Sequence, residues 1–578
     1  MCGIFALLNN NDTIDNENIQ KEFDRASHRG PDNTTINLSN NNFLGFHRLK
    51  INGLDDDSNQ PFIINNIMLI CNGEIYNHES LFDNIKYKRT TTSDCEIIIY
   101  LYILYGIEYT LNLLDGVFAF ILLDYDKEKI YVCRDVYGVR PLYYLFNESS
   151  VSEEYENNNN KDSNIIAFSS ELKQLIEIYN KLNTENNGFI VNQFIPSEYM
   201  EFSFLNNKFF LSNKVRYNSF KINKVINLDS LNDKEEYLNT IYYNIFNLFI
   251  DAVKKRVANT ERPIACLLSG GLDSSIVASI VSKFYQGELE TYSIGLENSE
   301  DLVYAKKVAN FLNTKHTEII VSENDFFNSI PTVIEMIESY DTTTVRASVG
   351  NYLVSKYISE NSDAKVIFNG DGSDELMGGY LYMKECPNHY EFDLESKRLL
   401  QNIYLFDALR SDKSISTNGL EPRTPFLDRE FVDYYLSIPS NIRFKSNKTQ
   451  EKILFRKSFY NKDFLPDEIL FRKKEAFSDG VSSLNKSWYT IIGEKVKNQK
   501  DVIIDYNKNY DINPPKTIEQ LYYRTIFENL YPNVSYVVPY FWMPKYVNSK
   551  DPSARTLKVY DKDNDFKNIV TLNNSNLI

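Results

Sequence analysis

Two rhythms of apolar and polar residues divide the chain. From Cys2 to about residue 210, short β-rich runs are punctuated by Gly, Asn and Asp: Ile67 to Cys71, Val117 to Leu123, Lys129 to Val132, and Leu142 to Tyr144. That pattern predicts a strand-rich α+β domain. One helix is signalled inside it, because Ser93 with Glu96 three residues on makes a capping box ahead of Ile97-Ile98-Ile99-Tyr100-Leu101, and Gly106 can end it. Residues 149–164 are polar and low in complexity, and read as a disordered loop insertion before the strand Ile165 to Phe168.

Residues 211–235 are polar and irregular and read as a linker. Beyond them a helical period puts Leu238, Ile241, Ile245, Leu248 and Phe249 on one face. Strand-like runs at Ile264 to Leu268, Thr291 to Ile294 and Lys365 to Phe368 then alternate with helical stretches, the signature of an α/β parallel sheet. The second domain is expected over 236–540, and 541–578 returns to irregular sequence rich in Pro, Tyr and Asn.

Bulk properties narrow the partners more than the fold. At 578 residues the chain is too long for one core. A formal charge of −17 argues against a nucleic-acid backbone or a membrane surface as the main partner. Cys2, Cys71, Cys95, Cys133, Cys266 and Cys386 show no CxxC pair and no zinc-ligand spacing, so a reducing, cytoplasmic setting is expected. The start lacks the basic-then-apolar pattern of a signal peptide. The longest apolar run, Ile97 to Ile107, falls short of the ~20 residues a bilayer demands.

The first candidate chemistry lies at the start. Removing Met1 would leave Cys2 with a thiol and a free α-amine in one residue. The amine, with an ordinary pKa of about 7.7–8.0, is matched to take the thiol's proton. Downstream, Asn72-Gly73-Glu74 follows a strand, and an Asn amide beside a glycine N–H can supply two donors to an oxyanion. Arg48 is a clamp candidate for a carboxylate, while Glu74 and Asp94 could hold an ammonium. Together these suit a free amino acid.

The second candidate is the Gly-rich strand-to-helix turn Ser269-Gly270-Gly271-Leu272-Asp273-Ser274-Ser275. Such a turn offers N–H groups and a helix start to an anion, and lacking the P-loop lysine it requires another partner for phosphate charge. Asp273 suits Mg²⁺. Asn369-Gly370-Asp371-Gly372-Ser373-Asp374-Glu375 also follows a buried strand, where open α/β sheets place ligands, and Asp374 is a second Mg²⁺ candidate.

These motifs, with His28-Arg29-Gly30-Pro31-Asp32, Arg48-Leu49, Ser93-Asp94-Cys95-Glu96, Arg134-Asp135, Arg140-Pro141-Leu142, Tyr340-Asp341, Thr343 to Ser348, Pro425-Phe426-Leu427-Asp428 and Lys474 to Gly480, resemble the glutamine-hydrolysing asparagine synthetases over nearly the whole chain. Asp551-Pro552-Ser553-Ala554-Arg555 resembles the eukaryotic branch. The resemblance implies an N-terminal-nucleophile αββα glutaminase joined to an ATP-pyrophosphatase α/β domain. It implies Cys2 as nucleophile, Asn72 and Gly73 at the oxyanion, and Arg48, Leu49, Glu74 and Asp94 around glutamine, with ammonia passing inside the protein. For ATP it implies Leu268, Ser269, Gly270, Gly271, Asp273, Ser274, Ser275, Ile294, Asn369, Gly370 and Lys474. Asp273 and Asp374 would take Mg²⁺, and Thr343, Thr344, Arg346 and Asp407 would line the aspartate and pyrophosphate region. Glutamine, aspartate and ATP are the expected partners, and a homodimer the candidate assembly.

One departure stands out. The family pattern reads Glu where this chain has Asp371, a residue expected to act as base in the amination step. It is one methylene short, and a displacement of about 1 Å can cost on the order of 10²-fold in rate, so a slow synthetase step is expected unless the loop moves inward. Lys50 replaces a small residue after Arg48-Leu49, which bears on glutamine affinity. A relative adenylating another carboxylate, as a β-lactam synthetase does, is the alternative, and the intact Thr343 to Ser348 segment argues against it. A silent nucleotide or glutamine sensor would be expected to lack Cys2, Asp273 or Asp374.

Overall fold

The structure is a computed structural model, and it describes all residues except 40, 149–163, 185–186, 206–207, 221–223, 228–232, 445–448, 484–485, 500–507 and 563–578. Nearly all of the 149–164 insertion therefore lies outside the described residues.

In the first domain two antiparallel six-stranded sheets face each other. One runs Ile190–Gln193, Tyr143–Phe146, Ile166–Ser169, Gly3–Leu8, Asn42–Arg48, Asn33–Ser39. The other runs Lys208–Arg216, Glu198–Leu205, Lys129–Arg134, Gly116–Asp124, Ile67–Ile75, Phe62–Ile64. Strand alternation explains the layering, since successive side chains point to opposite faces. Ile4, Ala6 and Leu8 meet Met68, Ile70, Ala119 and Ile121 between the sheets, whereas Phe5 and Leu7 point outward to Phe23 and Ile176 on helices. On the far side Leu69, Cys71, Phe118 and Phe120 pack against the helices Ile97–Tyr105 and Ile107–Leu113. Helix, sheet, sheet and helix follow in four layers.

Two local expectations change. Ser93 does cap, accepting from the Cys95 N–H at 3.3 Å, but Glu96 does not turn back to close a box. Its carboxylate instead accepts from the N–H groups of Thr90 and Thr91, each at 2.8 Å, and from their hydroxyls, and these four donors outcompete one. Gly106 ends the helix at φ 76°. The second sheet continues to Arg216, beyond the expected end at 210, because Tyr199 and Val215 pair across an edge strand that is polar on its outer side.

A helix over Lys234–Ala258 opens the second domain, started by Asp233, whose carboxylate accepts from the Glu236 N–H. Its sheet is five parallel strands in the order Lys315–Val321, Glu290–Leu296, Ile264–Leu267, Val366–Phe368, Glu421–Arg423. The central strand is covered on both faces, Ala265 on one side and Ile264 and Cys266 on the other, as a parallel sheet requires. No described helix is long and apolar enough to cross a membrane.

The halves interlock through charged side chains. Arg29 enters the second domain and bonds Asp412 (2.9 Å) and Ser416 (3.0 Å) on the helix Asp407–Ser416. In return Glu338 accepts from the N–H groups of Leu172 and Lys173 at 2.8 Å each, and pairs with Lys413. Arg423 reaches Glu74 at 3.1 Å. All are buried, where a charge must be paired.

Candidate functional site

Cys2 immediately precedes the strand Gly3–Leu8 of the first sheet. Its Sγ lies 3.8 Å from the carbonyl of Leu49, and its own carbonyl accepts from Nε of Arg29 at 3.0 Å. Burial raises the thiol's pKa, while the neighbouring N-terminal ammonium and Arg48 pull it down. The Met1 ammonium is itself pushed down to about 6 by burial, against the charge of Glu421.

Asn72 sits on the strand Ile67–Ile75 with both amide atoms, Nδ2 and Oδ1, buried and without a hydrogen-bond partner among the described residues. An unsatisfied buried amide costs on the order of 1–3 kcal/mol, so Asn72 stands out among the buried polar groups of this domain. Gly73 follows it. Arg48 is turned inward to its own loop, bonding the carbonyl of Asp55 (2.9 Å), Asn59 Oδ1 (2.7 Å) and the carbonyl of Gly53. Glu74 is equally engaged, by Asn52 (2.7 Å), Asn259 (2.8 Å) and Arg423. Burial and then the charges of Glu421 and Asp94 raise the Glu74 carboxyl well above its usual range. Asp94 accepts from the Ile75 N–H at 2.6 Å and is also raised by burial. Clamp and ammonium holder are therefore both bonded to protein here.

The second centre is a pocket at the C-terminal edge of the parallel sheet. Leu268, Ser269, Gly271, Asp273, Ser274, Ile294, Thr343, Asn369, Gly370, Asp371, Asp374, Asp407 and Lys474 all line it. Gly270 lies just behind. It holds φ 70°, and a Cβ there would stand 2.4 Å from the backbone of Tyr304 and Ala305, so only glycine lets the turn close onto that helix. At Gly370 a Cβ would meet Asp273 and the Ser274 N–H at 2.9 Å, and its absence brings the two ligand loops together.

Asp273 and Asp374 face each other across one ammonium. Lys452 Nζ is 2.7 Å from Asp273 Oδ2 and 2.5 Å from Asp374 Oδ1, and Lys474 Nζ is 2.6 Å from Asp374 Oδ2. Although burial alone would raise Asp374, the two lysines hold its carboxyl well below the usual range. Two carboxylate oxygens within reach of a single cation fit Mg²⁺, which takes one or two carboxylates together with phosphate oxygens. Lys452 and Lys474 bring two positive charges beside the Gly-rich turn.

Helical period sorts the remaining residues. On the helix Thr342–Asn361 the pocket is lined by Thr343, Ala347, Asn351 and Val354, one stripe at spacings of 4, 4 and 3. Thr344 and Arg346 fall off that stripe. Thr344 Oγ1 donates to Asp341 at 2.8 Å, and Arg346 is buried, gripped by Glu519 (2.8 and 2.6 Å) and Asp551 (2.8 Å twice). Neither lines the pocket, contrary to expectation, and Ser275 turns its hydroxyl into the protein for the same reason.

Comparison with known proteins covers both halves. Residues 1–216 match the glutamine amidotransferase domain family, and 244–396 with 384–539 match the asparagine synthase family. The chain is 40% identical over 582 aligned residues to the asparagine synthetases (glutamine-hydrolyzing) of Gallus gallus, Bos taurus and Homo sapiens, covering 97% of this chain and 99% of each relative. The chain belongs to the glutamine-hydrolysing asparagine synthetase family. Within that family's pattern Asp371 is the outlier, and the structure shows where its shorter side chain goes: Oδ1 takes a bond from Arg410 at 2.8 Å, and Oδ2 stays buried and unpartnered among the described residues. Burial raises this carboxyl, with Arg410 opposing.

Lys452, Arg410, Glu375 and Tyr380 are among the lining residues that the sequence does not single out, as are Asn351, Arg456 and Arg472. Tyr380 donates to Glu375 at 2.5 Å and lies 3.0 Å from Asp407. Glu375 could have been found, as the third acid of its motif. Lys452 could not, since Gln450-Glu451-Lys452 carries no pattern and its placement comes from a left-handed φ of 55°.

Proposed function

We propose that the protein converts aspartate to asparagine with ammonia taken from glutamine, cleaving ATP to AMP and pyrophosphate. The observation that carries this is the convergence of Asp273, Asp374, Lys452 and Lys474 on a Gly-rich turn, in a chain whose other half holds Cys2 and a buried Asn72 amide unpartnered among the described residues.

In the first half, once Met1 is removed, the Cys2 α-amine takes the thiol proton, Sγ attacks the side-chain amide carbon of glutamine, Asn72 Nδ2 with the Gly73 N–H receives the oxyanion, and the amine hands the proton to the departing nitrogen. Ammonia leaves and water hydrolyses the thioester to glutamate. Arg48 exchanges its loop carbonyls for the substrate carboxylate, and the Leu49 carbonyl, Glu74 and Asp94 surround the amino-acid end. In the second half an oxygen of the aspartate side-chain carboxylate attacks the α-phosphorus, and pyrophosphate leaves toward Lys452, Lys474 and the N-terminus of the helix Leu272–Phe284. Mg²⁺ held by Asp273 and Asp374 would neutralise charge on the phosphates. Ammonia then attacks the carbonyl of the aspartyl-AMP, AMP leaves, and Asp371 takes the proton from the new amide nitrogen. Passage of ammonia inside the protein keeps it unprotonated.

The proposed setting is a reducing cytoplasm, in keeping with six free cysteines, and the proposed assembly a homodimer, checked by light scattering. The deciding experiment supplies amide-¹⁵N glutamine, aspartate and Mg-ATP to the purified protein and follows products by mass. Labelled asparagine with AMP is expected. ADP, or aspartate-independent exchange of pyrophosphate into ATP with another carboxylate, would reject the assignment.

A further inference from the structure

The sequence Asp551-Pro552-Ser553-Ala554-Arg555 lies far along the chain from any site residue, yet it ends against the nucleotide pocket. One wall of that pocket is the stretch Arg472 to Ser478, which carries Lys474. Residues 472–476 have no helix or ladder of their own, so the stretch takes its position from whatever its side chains dock to.

Arg472 docks to Asp301 (3.0 Å) and the Ser269 carbonyl (3.3 Å), whereas Lys473 and Glu475, on either side of Lys474, dock to residues 551–560. Arg555 donates to Glu475 (3.4 Å) and to the carbonyl of Ser483 (2.9 Å), and the Tyr560 hydroxyl donates to the other oxygen of Glu475. Lys473 donates to the Tyr560 carbonyl at 2.8 Å and stands 3.7 Å from the centre of its ring. Both neighbours of Lys474 are thus held by the same segment. Ser553 Oγ donates to the buried Asp479 at 2.7 Å, at the far end of the stretch.

The same segment also reaches the opposite wall. Asp551 takes two bonds of 2.8 Å from Arg346 on the helix Thr342–Asn361, whose Thr343 to Val354 stripe lines the pocket. Leu557 and Val559 anchor it, buried in a cluster with Leu381, Tyr382 and Trp542.

We propose that residues 551–560 are a positioning strap that sets the spacing between these two walls and thereby places Lys474 on the phosphates of ATP. Asp551 acts through Arg346, and Arg555 and Tyr560 act through Glu475; none of the three lines the pocket. The inference rests on the reading of the pocket as the ATP site.

The test uses full-length Asp551→Asn, Arg555→Ala, Arg555→Lys and Tyr560→Phe proteins with ammonium in place of glutamine. The expected result is an ATP KM raised about tenfold in Asp551→Asn and Arg555→Ala with a smaller fall in kcat, given that a displacement of about 1 Å is felt strongly. Arg555→Lys recovers most of the loss, and ATP-free glutaminase activity stays at its original level throughout. Tyr560→Phe removes one hydroxyl and gives a two- to threefold change in the same direction, which covers the case of an alanine variant that does not fold. An unchanged ATP KM in Asp551→Asn and Tyr560→Phe overturns the strap and leaves the ATP site standing. A parallel loss of glutaminase activity also overturns it, marking the segment as general structure. An unaltered protein that shows no aspartate-dependent ATP–pyrophosphate exchange overturns the reading of the pocket, and the strap with it.

Discussion

Asp371 is bonded through Oδ1 to Nη2 of Arg410 at 2.8 Å, and the same nitrogen reaches Asp407 at 2.6 Å. The short carboxylate is anchored through one oxygen, and the other is buried without a partner among the described residues. Asp371→Asn removes the base and is expected to cut ammonia-dependent asparagine formation about 10²-fold. Asp371→Glu, which restores the family residue, carries the carboxylate past Arg410 and is expected to lower the rate about tenfold. Steady-state asparagine formation decides, and a faster Glu variant would show that the shorter residue is a handicap.

Asn72 gives the cleanest separation of the two activities. Asn72→Ala deletes an oxyanion donor and is expected to slow glutamine hydrolysis by about 10²–10³-fold. Synthesis from ammonium is expected to stay within about twofold, since Asn72 does not line the nucleotide pocket. Parallel glutamate and asparagine assays check both.

Asp412 receives Arg29 at 2.9 Å and stands 3.6 Å from Arg140, all three buried. Asp412→Ala takes one carboxylate from each of two guanidinium groups and leaves Arg29 on Glu171 (3.0 Å) and Arg140 3.4 Å from Glu421, so the cost is expected to fall below the about 3–5 kcal/mol of a buried pair broken outright. The expected outcome is a melting temperature lowered by several degrees, read by calorimetry at constant pH.

Two buried acids set an acid-side trend. Burial pushes Asp301 and Asp341 up to about 6, against the bonds each accepts from Arg472 and from Thr344 and Trp542. Between the unfolded carboxyl pKa of about 3.9 and the folded value, the folded chain binds more protons than the unfolded one. Their contribution to stability is therefore full below the unfolded pKa and is lost as pH rises toward 6. Asp341→Asn keeps the cap on Thr344 and is expected to flatten that part of the profile, measured by urea unfolding at pH 4, 5 and 6.

The strands of both domains are legible as short apolar runs ending at Gly, Asn and Asp, as at Ile67 to Cys71, and the ligand turns follow such runs, whereas the four-layer order comes from the family resemblance, since Ile4-Phe5-Ala6-Leu7 is apolar on both faces. Asp273 and Asp374 announced themselves through neighbouring glycines. Lys452 did not, since it arrives from 179 positions beyond Asp273 on a stretch without a motif. Arg346 lies off the lining stripe because a motif names residues in a row, whereas a helix presents only every third or fourth to a pocket. Arg48 and Glu74 were read as free claws, and the bonds they make to Asn59, Asn52 and Asn259 come from residues that look like ordinary loop in the sequence.

The exchange of Arg29 for Glu338 across the domain boundary reaches beyond stability. Each half carries a charged finger shaped for a socket that exists only in the other, with Asp412 and Ser416 on one side and the N–H groups of Leu172 and Lys173 on the other. Grafting this glutaminase onto a foreign synthetase would leave Arg29 with Glu171 and the Cys2 carbonyl, and Glu338 with Lys413, each without its partners across the boundary, so the two halves must change in step.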